Sequence, residues 1–98
     1  MVNVTITGHE IRVEGHAPRA ANVPPGNNIV CAAISALTLT LIEGLERVAG
    51  IPVNAKVAPG NTVICWEGYN AISDALVDTY RLGLEGIQAS YDNSILII

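Results

Sequence analysis

NIVCAAISALTLTLIEGLERVAGIP, residues 28–52, decides the architecture. Asn28 is a good helix N-cap, and Asn27 offers the same one residue earlier. Ile34, Leu37, Leu41, Leu45 and Val48 follow at helical spacing and predict a core-facing stripe. Glu43 and Arg47 form an i,i+4 pair on the wet side. Gly50 and Pro52 end the helix. Gly44, inside it, costs about 1 kcal/mol relative to Ala, which the close approach of another backbone would explain. The uncharged run Ile29 to Ile42 is shorter than a bilayer span requires, so it reads as a buried helix and no membrane partner is expected.

Upstream of this helix, Val2, Val4 and Ile6 alternate with Asn3, Thr5 and Thr7, the period of a strand with one wet face. Gly8-His9 makes a turn, and Ile11 and Val13 alternate with Arg12 and Glu14 to complete a hairpin. From Ala17 to Gly26 the periodicity stops. Pro18, Pro24, Pro25 and Gly26 make this an irregular loop, of a length that is uncommon in small domains and often functional.

Downstream, Val53–Val57 and Thr62–Trp66 flank Pro59-Gly60-Asn61 as a second hairpin. Val63, Ile64, Cys65 and Trp66 are apolar on both faces, which places that strand inside the sheet or at an interface. Asn70 caps a second helix with Asp74 in its first turn. Ile72, Leu76, Tyr80 and Leu84 form its stripe, and Gly83 and Gly86 weaken its end. Ser94–Ile98 is a last strand. The expected fold is α+β: one domain, residues 1–98, in the order β-β-α-β-β-α-β, with a single mixed sheet and both helices on one face.

Half of the 98 residues are hydrophobic, with no Phe and one Trp, so the core must be aliphatic. Five basic against nine acidic residues give a net charge of −4, and the basic ones are scattered. That is no electrostatic footprint for nucleic acid. Low charge with high apolar content leaves apolar surface to cover, and a homodimer is expected. The N-terminus MVNVTITGHE has neither a basic start nor an apolar run, so no secretory signal is read. Two cysteines make no disulfide framework, and a cytoplasmic location is expected. No pair among Cys31, Cys65, His9 and His16 has metal-ligand spacing, and there is no phosphate-binding glycine loop, so neither metal nor cofactor is expected. Cys65 reads as a core residue and His9 as a solvated turn residue.

One pair of residues suggests chemistry. His16 ends the second strand where the irregular loop begins, and Cys31 lies in the first turn of the helix where the loop ends. The thiolate is the nucleophile, and a helix N-terminus favours a nearby anion. A His within reach takes the thiol proton and hands it to the leaving amine. Helix N–H groups, that of Cys31 included, are candidates to hold an oxyanion. Taken by spacing alone, the same residues equally describe a buried structural Cys31 and a solvated His16.

The wording around them narrows this. Gly15-His16-Ala17, then a loop with a Gly, then Ile29-Val30-Cys31-Ala32-Ala33-Ile34-Ser35-Ala36-Leu37 resembles the ribosomal-processing cysteine protease (Prp) family. There a Gly-His-Ala motif after the second strand supplies the catalytic His. An Asp-Ile-Val-Cys-Ala-Ala-x-Ser-Ala-Leu run opens the first helix and supplies the nucleophile. Gly44-Leu45-Glu46 and the order of elements extend the likeness over nearly the whole chain.

The resemblance implies a homodimeric cytoplasmic cysteine endopeptidase that trims an N-terminal extension from a ribosomal protein precursor or from a phage structural protein. It makes Cys31 the nucleophile and His16 the general base and acid. Ser35, one turn after Cys31, matches the family serine and is expected to bind substrate or steady the site; the alternative is a hydroxyl bonded to the preceding turn's carbonyl. Asn28 stands where the family has Asp, able to cap the helix but bringing no charge. Pro18-Arg19 replace the family's frequent Gly-Tyr, and Ala20 to Pro25 also differ. These departures keep open a second reading, a non-catalytic protein-binding or assembly module that retains the fold.

Overall fold

The computed structural model describes residues 1–15 and 28–98. His16, the loop 17–27 and the alternative cap Asn27 lie outside the described residues. The elements are β1 (Val2–Ile6), β2 (Glu10–Glu14), α1 (Ile29–Arg47), β3 (Val53–Ala58), β4 (Asn61–Trp66), α2 (Ala71–Ser90) and β5 (Ile95–Ile97), the order expected from the sequence. They build one five-stranded sheet, β3-β4-β2-β1-β5. β5 runs parallel to β1 and every other pair is antiparallel, so the sheet is mixed.

Alternation in the strands sets the two faces of the sheet. Val2 and Val4 of β1, Ile11 of β2, Ile64 and Trp66 of β4 and Ile95 of β5 are buried together under the helices. α1 lies over the β3 side of the sheet and α2 over the β5 side. β4 sits inside the sheet, as its apolar run suggests. Cys65 follows the alternation to the opposite face, where it is half-buried beside Glu10, so it is not the core residue that its neighbours imply. The β3–β4 turn is Pro59-Gly60, one residue shorter than the sequence reading, because Asn61 pairs with Ala58 as the first residue of β4. Gly60 supplies the turn's positive φ, +71°.

The first helix begins at its expected cap. Asn28 Oδ1 accepts the N–H groups of Val30 at 2.9 Å and Cys31 at 3.1 Å. Its buried stripe is Val30, Ile34, Thr38, Leu41 and Leu45. Val48 is not part of it: the helix stops at Arg47, Val48 is 63% exposed, and Ala49 and Ile51 fold into the core instead. Thr38 is accommodated because its hydroxyl donates to Ile34 O at 2.7 Å and lies 2.9 Å from Tyr80 Oη. A buried hydroxyl without partners would be costly, and this one has two.

The second helix carries the expected Asn70 cap, strengthened into a capping box. Asn70 Oδ1 accepts the Ser73 N–H at 2.9 Å, and Ser73 Oγ accepts the Asn70 N–H at 2.8 Å. That box draws Ser73 inward and turns Ile72 out, 48% exposed, where periodicity alone had put Ile72 in the stripe. Tyr80 and Leu84 are buried as expected.

The helices pack antiparallel through a reciprocal device. A Cβ on Gly44 would lie 3.3 Å from Leu76 Cδ1, and one on Gly83 would lie 3.0 Å from Leu37 Cδ1. Each helix thus offers a glycine notch to a leucine of the other. What approaches Gly44 is therefore a side chain, not the backbone that the sequence suggested. By length and composition α1 passes for a membrane span, with 19 residues and a hydropathy of 1.7, contrary to the estimate from its uncharged run alone. Here its apolar stripe is spent on the sheet.

Candidate active site

The N-terminal half of α1 and the β3–β4 turn face each other across a cleft of about 300 Å³. Cys31, Ser35 and Leu39, four residues apart along α1, line one wall. Ala58, Pro59, Gly60 and Asn61 line the other, and Val13 and Gly15 close it at the end of β2. The Asn28 cap fixes where α1 starts, which places Cys31 in its first turn. Cys31 is half-buried there and Ser35 is exposed.

The first-turn donors are committed to Asn28. Its side chain takes the Val30 and Cys31 N–H groups, and its carbonyl takes that of Ala32 at 3.0 Å. An oxyanion using the Cys31 N–H therefore shares that donor with Asn28 Oδ1, an engagement that the sequence did not reveal. The cap at position 28 thereby also fixes the backbone of Cys31.

Gly15 is the feature that the sequence reading passed over. Its φ is +96°, and an added Cβ would sit 2.6 Å from the Met1 carbonyl oxygen. Its N–H donates to Gly60 O at 2.9 Å, tying the end of β2 to the wall of the cleft. Only glycine meets both demands, which explains the first letter of the Gly-His-Ala motif. The wall residues Pro59, Gly60 and Asn61 were legible as a turn, but nothing local indicated that this turn faces Cys31.

Of the residues expected in the site, Cys31, Ser35 and Asn28 are brought together at one helix end. His16 follows Gly15 in the chain and is outside the described residues. The other thiol is in a different setting. Cys65 Sγ lies 3.5 Å from Glu10 Oε1 on the far face of the sheet. Desolvation, then the Glu10 carboxylate, pushes its thiol up and disfavours the thiolate. Arg12 in turn pairs with Glu10 at 3.2 Å. His9 is exposed, its ring 5.2 Å from that of Tyr69. Among the described residues no group of three His, Cys, Asp or Glu side chains is placed to hold a metal.

Comparison with known proteins gives these features a family. The model of the family described as cysteine protease Prp matches residues 1–96. No curated protein matches. Among solved structures, the chain is similar to an essential ribosomal processing protease Prp from S. aureus in complex with a covalently linked product peptide. There the TM-score is 0.80 and the identity 19%, over 98% of this chain and 94% of that one. With the S. aureus protease in complex with a substrate peptide the TM-score is 0.71 at 17% identity, covering 99% and 95%. With SMU.848 from Streptococcus mutans it is 0.77 at 22% identity, again covering 99% and 95%. At these identities the structures speak for the fold, and the family model, which spans both the Gly-His-Ala and the Cys31 motifs, speaks for the chemistry. The chain belongs to the Prp family of cysteine proteases.

Proposed function

We propose that this protein is an endopeptidase that removes a short N-terminal extension from a ribosomal protein precursor, with Cys31 as nucleophile and His16 as base and acid. One observation carries the assignment of residues: Cys31 opens from the capped first turn of α1 into a cleft that is also lined by Gly15, the residue bonded to His16. In this reading His16 takes the Cys31 proton and the thiolate attacks the scissile carbonyl. The tetrahedral intermediate collapses to a thioester as His16 protonates the leaving amine. Water, deprotonated by His16, then attacks the thioester and frees Cys31. Ser35, one turn along the same wall, holds the substrate near the thiol, and Asn28 holds the Cys31 backbone in place.

The substrate class rests on the S. aureus relatives, whose structures are of a ribosomal processing protease with product and substrate peptides. Phage structural precursors are a second class to try. Membership of a protease family speaks against the non-catalytic module. We further assign the protein to the cytoplasm, consistent with a sequence whose two cysteines make no disulfide framework. We also assign it a homodimeric state, in which a second copy covers exposed apolar side chains such as Ile29 and Leu82. Neither nucleic acid nor membrane has a part in this scheme, and no metal or other cofactor is required by it.

The test is to incubate the protein with precursor proteins and read their N-termini by mass spectrometry. A shortened ribosomal precursor is expected with wild type and none with Cys31→Ala or His16→Ala, both still folded by circular dichroism. Binding without shortening, alike in wild type and Cys31→Ala, would restore the assembly-module reading.

A further inference from the structure

The free edge of β3 leads into the cleft. β3 is the last strand on its side of the sheet, and among the described residues nothing pairs with its outer edge. Trp66 N–H donates to His9 O, and Gly15 N–H donates to Gly60 O, so the even-numbered residues of β4 turn their backbone groups toward β2. Its odd-numbered residues, Asn61, Val63 and Cys65, then bond to Ala58, Lys56 and Asn54. Val53, Ala55 and Val57 are left with N–H and C=O groups directed away from the sheet.

Natural edge strands are normally blunted by proline, by a bulge or by several charges. β3 has none of these within its six residues except one charge, Lys56, whose side chain lies on the face away from the helices. The end of this open edge is Val57, which is 59% exposed and lines the same cleft as Cys31. Across from it, Cys31, Ser35 and Leu39 run along α1 over eight residue-to-residue steps, roughly 12 Å at about 1.5 Å per step. An extended chain covers that distance in about four residues.

The geometry points to the β3 edge as the docking strand for substrate: the segment flanking the scissile bond is bound extended between α1 and β3, its backbone pairing with Val57 and Ala55 as a sixth strand. This rests on the protease reading above and adds to it the element that fixes the substrate's main chain. Backbone pairing leaves sequence preference to alternate side chains, one set facing the cleft and the other facing solvent. A second copy of this chain pairing along β3 is the competing occupant.

The test uses a synthetic peptide spanning the extension and cleavage site of the ribosomal protein precursor from the same organism. Its backbone nitrogens are methylated one at a time, and binding to Cys31→Ala protein is measured for each. Strand pairing uses every second residue, so methylation should weaken binding with period two, by roughly two- to tenfold at sensitive positions. Val57→Pro removes one outward N–H while breaking no bond to β4, and should weaken the parent peptide by a similar factor. Val57→Ala, which keeps that N–H, should weaken it less. A flat methylation profile, or a Val57→Pro protein that binds normally, overturns edge docking. So does a Val57→Pro protein that turns from dimer to monomer on sedimentation, since the edge then belongs to a second copy. Cleavage of the unmethylated peptide by wild type is scored separately, so edge docking can fail while the protease assignment stands, and the reverse.

Discussion

Replacing Gly15 by Ala should damage stability and activity together, for reasons that can be added up. At φ +96° an L-residue is strained, by about 1–2 kcal/mol on the scale of left-handed backbone. The new Cβ would stand 2.6 Å from the Met1 carbonyl oxygen, so the backbone must move by several tenths of an ångström. Met1 has little freedom to yield, because the next residue, Val2, donates to Ser94 O at 3.0 Å and is paired with Ile95. Overpacking of this kind typically costs about 1–3 kcal/mol. The sum, roughly 2–5 kcal/mol, lowers the Tm of a domain this size by about 8–40 °C at about 4–8 °C per kcal/mol.

Relief of the clash pulls Gly15 away from Gly60, breaking the bond that joins β2 to the cleft wall. In the proposed mechanism, that shifts the chain leading to His16 relative to Cys31. Activity measured well below the lowered Tm should therefore fall at least tenfold, chiefly in kcat. Calorimetry and peptide cleavage are the assays. A D-alanine at position 15, introduced by ligation of synthetic segments, accepts the positive φ and points its methyl away from Met1, and should recover most of both losses. A Gly15→Ala protein within 1 kcal/mol of wild type, cleaving normally, would refute the reasoning.

Three further outcomes are expected. In the glycine series Gly86→Ala, with no atom within 4 Å of the new methyl, should stabilise by up to about 1 kcal/mol in urea unfolding. Gly44→Ala should be near neutral and Gly83→Ala worst, with Leu37→Ala lessening the penalty at Gly83; equal effects at Gly83 and Gly86 would deny the notch. Burial pushes the Tyr80 phenol above its ordinary value of 10.0, so above about pH 10 the unfolded chain sheds a proton that the native state keeps. Stability is thus intact below that pH and lost as pH rises through the folded value, and Tyr80→Phe should flatten the fall in urea midpoint while costing the Thr38 contact. Iodoacetamide should label Cys31 before Cys65, and Glu10→Gln should quicken Cys65 by removing the carboxylate that disfavours its thiolate; equal, slow labelling in wild type would count against an activated Cys31.

Local order was written in the sequence because it depends on near neighbours. Alternation in Val2-Asn3-Val4 names a strand and its buried face, Asn28 and Asn70 cap helices through bonds two or three residues away, and Cys31 follows from the cap that precedes it. What escaped was set by contacts between distant segments. Periodicity proposes a helical stripe, but where the partner element crosses decides which residues at its margin are covered, so Thr38 is buried and Val48 and Ile72 are not. Cys65 is turned outward by the pleat of an interior strand. Gly44 and Gly83 had no visible purpose until Leu76 and Leu37 filled them. The cleft itself needed the tertiary fold, because its two walls come from segments that meet only when β2, followed directly by Gly15, pairs beside β4 and brings the Pro59-Gly60 turn opposite the start of α1. The sequence carried Cys31 and its helix; the sheet supplied the wall that faces them across the cleft.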